Sequence, residues 1–249
     1  MNKEIKYCLN CNNKVYGEFC SKCGQSIHTS RVNSQEVFRE LGYGLFHLNS
    51  GLFYTTKELL LRPAVTIRNY LSGKRVGYIK PFIFLIVCGV IYSFVFHLFH
   101  FFPMDEMNKH EGNVILEYVP IYKLYSNHYS SMLLVLTPFY ALFSYLLFYR
   151  RGYNYMEHLV MLSYLSGARI FVLLLFYPFI YLSHSQFVYL VINFLAEIYF
   201  IWGLSQFFKR SSWFAAIFKV LLLIVLAVVT LLVLVIAIFL VFKYYHFKL

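Results

Sequence analysis

The chain has 249 residues, of which 60% are hydrophobic, 21% aromatic and only 13% charged, with a formal net charge of +11. Soluble domains of this size carry about 25% charged residues, so the composition excludes an ordinary water-soluble enzyme or binding module. The positive charge, which in a soluble chain would point to nucleic acid, is distributed here as a membrane protein distributes it.

The chain opens on a polar stretch, residues 1–33, that contains four of the five cysteines. It has no apolar core of the kind a cleavable signal needs, so insertion is expected through an internal span. Cys8-Leu-Asn-Cys11 and Cys20-Ser-Lys-Cys23-Gly24-Gln25 form two CxxC knuckles. Four thiolates suit tetrahedral zinc, and a Gly after the last Cys allows the tight turn. We therefore expect residues 1–30 to be a zinc ribbon holding one structural Zn2+ through Cys8, Cys11, Cys20 and Cys23. Four Cys ligands leave no open coordination position, which argues against catalysis at the metal. A disulfide reading conflicts with a reducing cytosolic location. Lys3, Lys6, Lys14 and Lys22 flank the ribbon, yet tethering at a membrane argues against nucleic acid and for a protein partner.

Residues 31–80 read as amphipathic helices. Asn33 and Glu36 have capping-box spacing, Val37, Leu41, Leu45 and Leu48 mark one face, and Asn49-Ser50-Gly51 ends the pattern. A second stretch begins near Leu52, and Pro63 suits the first turn of a third, which Ser72-Gly73 closes. Arg62, Arg68, Lys74 and Arg75 make this region basic. The expectation is helices on the inner leaflet, with basic side chains near anionic lipid phosphates.

Residues 81–249 carry five apolar runs, at about 81–102, 132–149, 159–182, 187–207 and 216–242. About 20 helical residues cross a bilayer core. Arg62, Arg68, Lys74, Arg75 and Lys80 precede the first run. Arg150-Arg151 and Lys209-Arg210 occupy later loops, whereas loop 103–131 is mostly acidic. The alternation predicts a cytosolic N-terminus and an outside C-terminus. The expected fold is thus an all-α polytopic membrane protein, with a small N-terminal ribbon and cytosolic-side amphipathic helices.

Inside the apolar runs, Arg169 and Glu197 stand mid-way along the third and fourth. A lone charge at that depth costs several kcal/mol, so the two are expected to pair. Glu157-His158 lies at the inner mouth of the third run, after Arg150-Arg151, as a candidate ionisable cluster. His97-x-x-His100 with His184 is a weaker metal candidate, and Cys88 reads as core packing.

The order of a CxxC…CxxCGQ ribbon, an amphipathic stretch and TTKELLLRPAVTIRNYLSGKRVGYIKPFIFL resembles the bacterial membrane family catalogued as domain of unknown function 3667. The resemblance runs over Tyr7–Ile91. It extends to Tyr155-Met156-Glu157-His158, which is similar to a later Glu-His feature of that family. It implies the ribbon-plus-helices layout and no activity. Three functions fit the residues. The favoured one is a recruitment, scaffold or sensing component at the inner face of the bacterial cytoplasmic membrane. The second is a small transporter or permease component using Arg169, Glu197 and the Glu157-His158 mouth. The third is a membrane-embedded lipid-modifying enzyme.

Overall fold

The structure is a computed structural model that describes residues 6–29, 31–35, 51–99, 128–208 and 213–246. The expected helix over 34–49, the acidic loop 103–131, His100 and the Lys209-Arg210 loop lie mostly or wholly outside those residues. A two-stranded antiparallel ribbon pairs β1 (Lys6–Tyr7) with β2 (Lys14–Val15), Lys6 opposite Val15. Two short helices follow, α1 (Gly51–Leu61) and α2 (Pro63–Leu71). Pro63 stands at the start of α2, where its missing N–H is not needed, and so breaks the chain into two helices.

Among the described residues, five long helices form the bundle: α3 (Pro81–Phe99), α4 (Tyr129–Phe148), α5 (Tyr155–Ser183), α6 (Gln186–Phe208) and α7 (Trp213–His246). Among the described residues, four stretches are long and apolar enough to cross a membrane: Pro81–Phe99, Tyr129–Arg151, Tyr155–Ser183 and Phe187–Phe208. The chain is therefore a helical membrane protein. The expected run 216–242 falls within the 34-residue α7, whose described apolar side chains cover Phe214–Thr230.

The central helix is α5. It is apolar on all sides, and between Glu157 and Ile170 every side chain is buried; a helix of that pattern has to be surrounded. Gly167 shows how closely its neighbour comes, since a Cβ there would stand 2.6 Å from the Phe84 ring and 3.3 Å from the Leu85 backbone. Small residues allow such approach where lipid supplies no hydrophobic drive. Phe99 of α3 meets Tyr181 of α5 at 4.9 Å between ring centroids, so α3 and α5 run parallel. Running the opposite way, α4 bonds Ser130 to Ser93 of α3 (2.7 Å) near one end. Near its other end, Ser144 bonds to His158 of α5 (2.8 Å). There Phe148 of α4 stacks on Phe208 of α6 at 3.9 Å. In α7, Ala216, Val220, Leu223 and Ala227 form a buried stripe at helical spacing, while Phe214, Phe218 and Val225 face outward.

Helices α1 and α2 pack on this bundle. Tyr199 of α6 donates to the Leu59 carbonyl (2.9 Å), and a Cβ on Gly203 would stand 3.3 Å from Pro63. Leu59, Ala64, Ile67 and Tyr70 are buried in the bundle core. The apolar face expected to lie on lipid is therefore largely spent on α5 and α6, although Phe53, Leu61 and Val65 remain exposed.

Candidate metal centre and intramembrane ion pair

Each CxxC knuckle folds by the same local rule. Asn12 N–H donates to the Cys8 carbonyl and Gly24 N–H to the Cys20 carbonyl, both at 2.8 Å. Cys8 N–H and Cys20 N–H return to Asn13 and Gln25 carbonyls at 2.9 Å. The residue after each second Cys takes positive φ, +57° at Asn12 and +75° at Gly24. Gly does this without strain, and Asn is among the side chains that tolerate it.

The knuckles bring the Sγ atoms of Cys8, Cys11, Cys20 and Cys23 within 4.8 Å of one another. The Cys8–Cys23 and Cys11–Cys20 pairs stand at 3.5 Å, far longer than a disulfide bond, and all five cysteines are free. A tetrahedron with metal–sulfur bonds of about 2.3 Å has sulfur–sulfur edges of roughly 3.8 Å, which these separations fit. The thiols also compete for charge. Burial raises Cys20, but the backbone amides of Cys23 and Lys22 with the thiols of Cys11 and Cys23 together bring it down to about 6. Despite an amide from Asn13, burial and contacts with Cys20, Cys23 and Cys8 push Cys11 up to about 12. A divalent cation between them would relieve that conflict. The ribbon's own core is only Cys8, Val15 and Cys20, with Cys11, Cys23 and Ile27 packed against it. So small a core does not hold a fold unaided. The four cysteines can thus hold a metal ion.

The ribbon is fastened to the helices at two points. Gln25, 7% exposed, donates to the Gly73 carbonyl (2.8 Å) and accepts from Arg75 N–H (3.1 Å). Arg31 forms a two-pronged bond to Glu157, both contacts at 2.7 Å, and donates to the Gly152 carbonyl at 2.7 Å. Beside it, Asn154 donates to the Val32 carbonyl (3.0 Å). Glu157 is also the third residue of the α5 capping box, exchanging 2.8 Å bonds with Asn154. The expected cluster of Glu157 with Arg150 and Arg151 is therefore not what forms. Arg150 lies over Tyr149 instead, and Glu157 is taken by Arg31. Sequence reasoning missed Arg31, because a cation 126 residues away leaves no local pattern. The Asn154-x-x-Glu157 spacing was a readable capping signal. His158 is 1% exposed, bonded to Ser144 and stacked on Phe208 at 5.5 Å, a packed ring at the start of α5.

Three of the four basic residues expected at lipid phosphates, Arg62, Arg68 and Arg75, meet protein groups. Arg62 grips Glu58 one helical turn away (2.7 and 2.8 Å). Arg68 donates to the Gln206 and Phe207 carbonyls, both at 2.7 Å, and so caps the C-terminal end of α6. Arg75 lies 5.2 Å from the Tyr70 ring centre. Lys74 is exposed. Charge at this end therefore fastens elements together as well as meeting solvent.

Within the bundle, Arg169 and Glu197 form an ion pair, with side chains 8% and 33% exposed. The Arg169 guanidinium lies 5.6 Å from the Tyr129 ring centre and 6.0 Å from that of Phe200. Arg169 stands eleven residues beyond His158, roughly 16 Å along the helix axis. Buried side chains fill the interval, Val160, Met161, Leu162 and Leu165 together with Ser163, Tyr164 and Ser166. The structure joins the pair and leaves it separate from the Glu157-His158 mouth. His97 bonds to the Ser93 carbonyl (2.7 Å) and His184 packs on Tyr181. Among the described residues the four N-terminal cysteines are the only cluster suited to a metal, and Cys88 is buried in the core.

Residues 49–93 match the family model described as Protein of unknown function (DUF3667). The matched residues comprise α1, α2, the turn after them and the first two thirds of α3, and so include Gly73 and Arg75, one of the two points at which the ribbon is fastened. The ribbon itself lies outside them. No curated protein and no solved structure matches the chain.

Proposed function

We propose that this chain is an integral docking protein whose N-terminal ribbon, folded around one Zn2+, holds a protein partner at the cytosolic face of a bacterial cytoplasmic membrane. The basic loops and the acidic first loop support that orientation. Zinc is favoured over iron because the donor set is four thiolates in a short double knuckle, a closed structural site.

One observation carries the reading. The ribbon is fixed to the helix ends through Gln25 and Arg31, while Tyr7, Tyr16 and Phe19 remain 56%, 74% and 62% exposed. Large aromatic side chains on so small a module supply the anchors that protein interfaces use. Phe53, Leu61 and Val65 on α1 and α2 support contact of that segment with the inner leaflet. The interval between His158 and Arg169 is closely packed, with every side chain buried, and that packing weighs against a transport path.

Affinity purification from native membranes tests the proposal, comparing the wild type with the Tyr16→Ser/Phe19→Ser variant. Loss of a co-purifying protein at unchanged zinc content supports docking through the ribbon. Co-purification that survives the double substitution refutes it.

A further inference from the structure

A cavity of about 310 Å³ lies beside the intramembrane ion pair. Its polar wall is Tyr129, Tyr140, Arg169 and Glu197; Leu136 of α4 and Ala227 and Val228 of α7 contribute to its apolar wall. Ligand sites are of this kind, mostly apolar with a few converging polar groups, and about 300 Å³ is their lower size. Val228 is 47% exposed, so the apolar wall reaches the outer, lipid-facing surface of the bundle.

We infer that this cavity binds the head and first carbons of a single-chain lipid with a neutral hydrogen-bonding head, of the fatty-alcohol or protonated fatty-acid class. Charge selects the head. Arg169 and Glu197 already neutralise each other, so a phosphate or carboxylate would leave a net charge at membrane depth, at a cost of several kcal/mol. A hydroxyl adds none. It donates to Glu197, whose side chain is 33% exposed, and accepts from the guanidinium, which has five N–H donors to share. Volume selects the body. The space equals that of about ten waters at ~30 Å³ each, enough for a head and a short length of chain. The remaining chain leaves past Val228 into the bilayer.

The test uses purified full-length protein in phosphatidylcholine nanodiscs, with a diazirine-bearing hexadecanol and, in parallel, a diazirine-bearing hexadecyl phosphate. Crosslinked peptides are mapped by mass spectrometry. The alcohol should label the α4 and α7 residues that line the cavity. Val228→Trp, which blocks the opening through which the chain leaves, should reduce that labelling about tenfold, equivalent to about 1.4 kcal/mol of lost binding. Leu221→Trp, on the same helix and also half-exposed, should leave it unchanged. Labelling spread along the outer face of α7 and indifferent to Val228→Trp would mean bulk lipid contact only and would overturn the inference. Equal or stronger labelling by the phosphate would overturn the neutral-head assignment. Neither result depends on the ribbon or its partner.

Discussion

Replacing Arg31 by Ala should undo one of the ribbon's two attachments to the bundle without unfolding either part, the Gln25–Gly73 attachment remaining. Arg31 makes three 2.7 Å contacts, two to Glu157 and one to the Gly152 carbonyl. Charge-assisted bonds to a buried acceptor are worth about 1.5–3 kcal/mol in favourable settings. Here the Arg side chain is 61% exposed while Glu157 is 5% exposed, so solvent screening lowers the total to about 1–2 kcal/mol. Glu157 keeps its capping bonds to Asn154, so α5 itself should persist. At about 1.4 kcal/mol per tenfold, the open population of the 151–154 segment should rise roughly five- to thirtyfold. Trypsin cleavage after Arg151 reads that opening, because proteolysis of a transiently open segment follows its population. The bond that holds Gly152 is the one removed, so cleavage should accelerate by that factor at unchanged metal content. Arg31→Lys should fall between, since an ammonium cannot form the two-pronged contact. Added salt should narrow the difference. Cleavage within twofold of wild type in Arg31→Ala would refute the clamp.

Three further outcomes follow from the geometry. Gly24→Ala forces a Cβ into φ +75° and should cost about 1–2 kcal/mol, read as a weakening of zinc affinity in competition with a chelator; Asn12→Gly, already at positive φ, should bind no worse. Glu197→Ala alone should lower the thermal midpoint more than the joint Arg169→Met/Glu197→Met replacement, because the single change strands a buried cation; additive losses would refute pairing. Gly167→Ala should destabilise the bundle by about 1–3 kcal/mol through overpacking against Phe84, measured as a loss of thermal stability in detergent, and a neutral result would contradict the close approach of α3 and α5.

Local chemistry made much of this structure readable. Cys8, Cys11, Cys20 and Cys23 announce themselves by spacing, and the structure gathers them. The apolar runs announce helices because lipid offers the backbone no partner. Arg169 and Glu197 are readable as a pair because each is intolerable alone at its depth. The contacts that assemble the parts were not readable. Arg31 meets Glu157 across 126 positions and Gln25 meets Gly73 across 48, and nothing in the local sequence around either member names its partner. The same holds for Arg68, whose place at the C-terminal end of α6 depends on how α2 packs. Amphipathic patterning and positive charge point these basic residues toward lipid, whereas Arg62 and Arg68 serve as fasteners. The cavity was equally hidden, since its walls come from four different helices.

If the proposed zinc folds the ribbon that is fastened to the helices, metal and attachment should be lost together. Elemental analysis of the purified protein, alongside its Cys20→Ser variant, tests it most directly. The account predicts about one zinc per chain in the wild type, with the metal lost and the Gln25–Gly73 and Arg31–Glu157 contacts loosened in the variant, seen as faster cleavage after Arg151. Wild-type protein that carries iron or no metal, or a variant whose cleavage is unchanged after zinc loss, would contradict it.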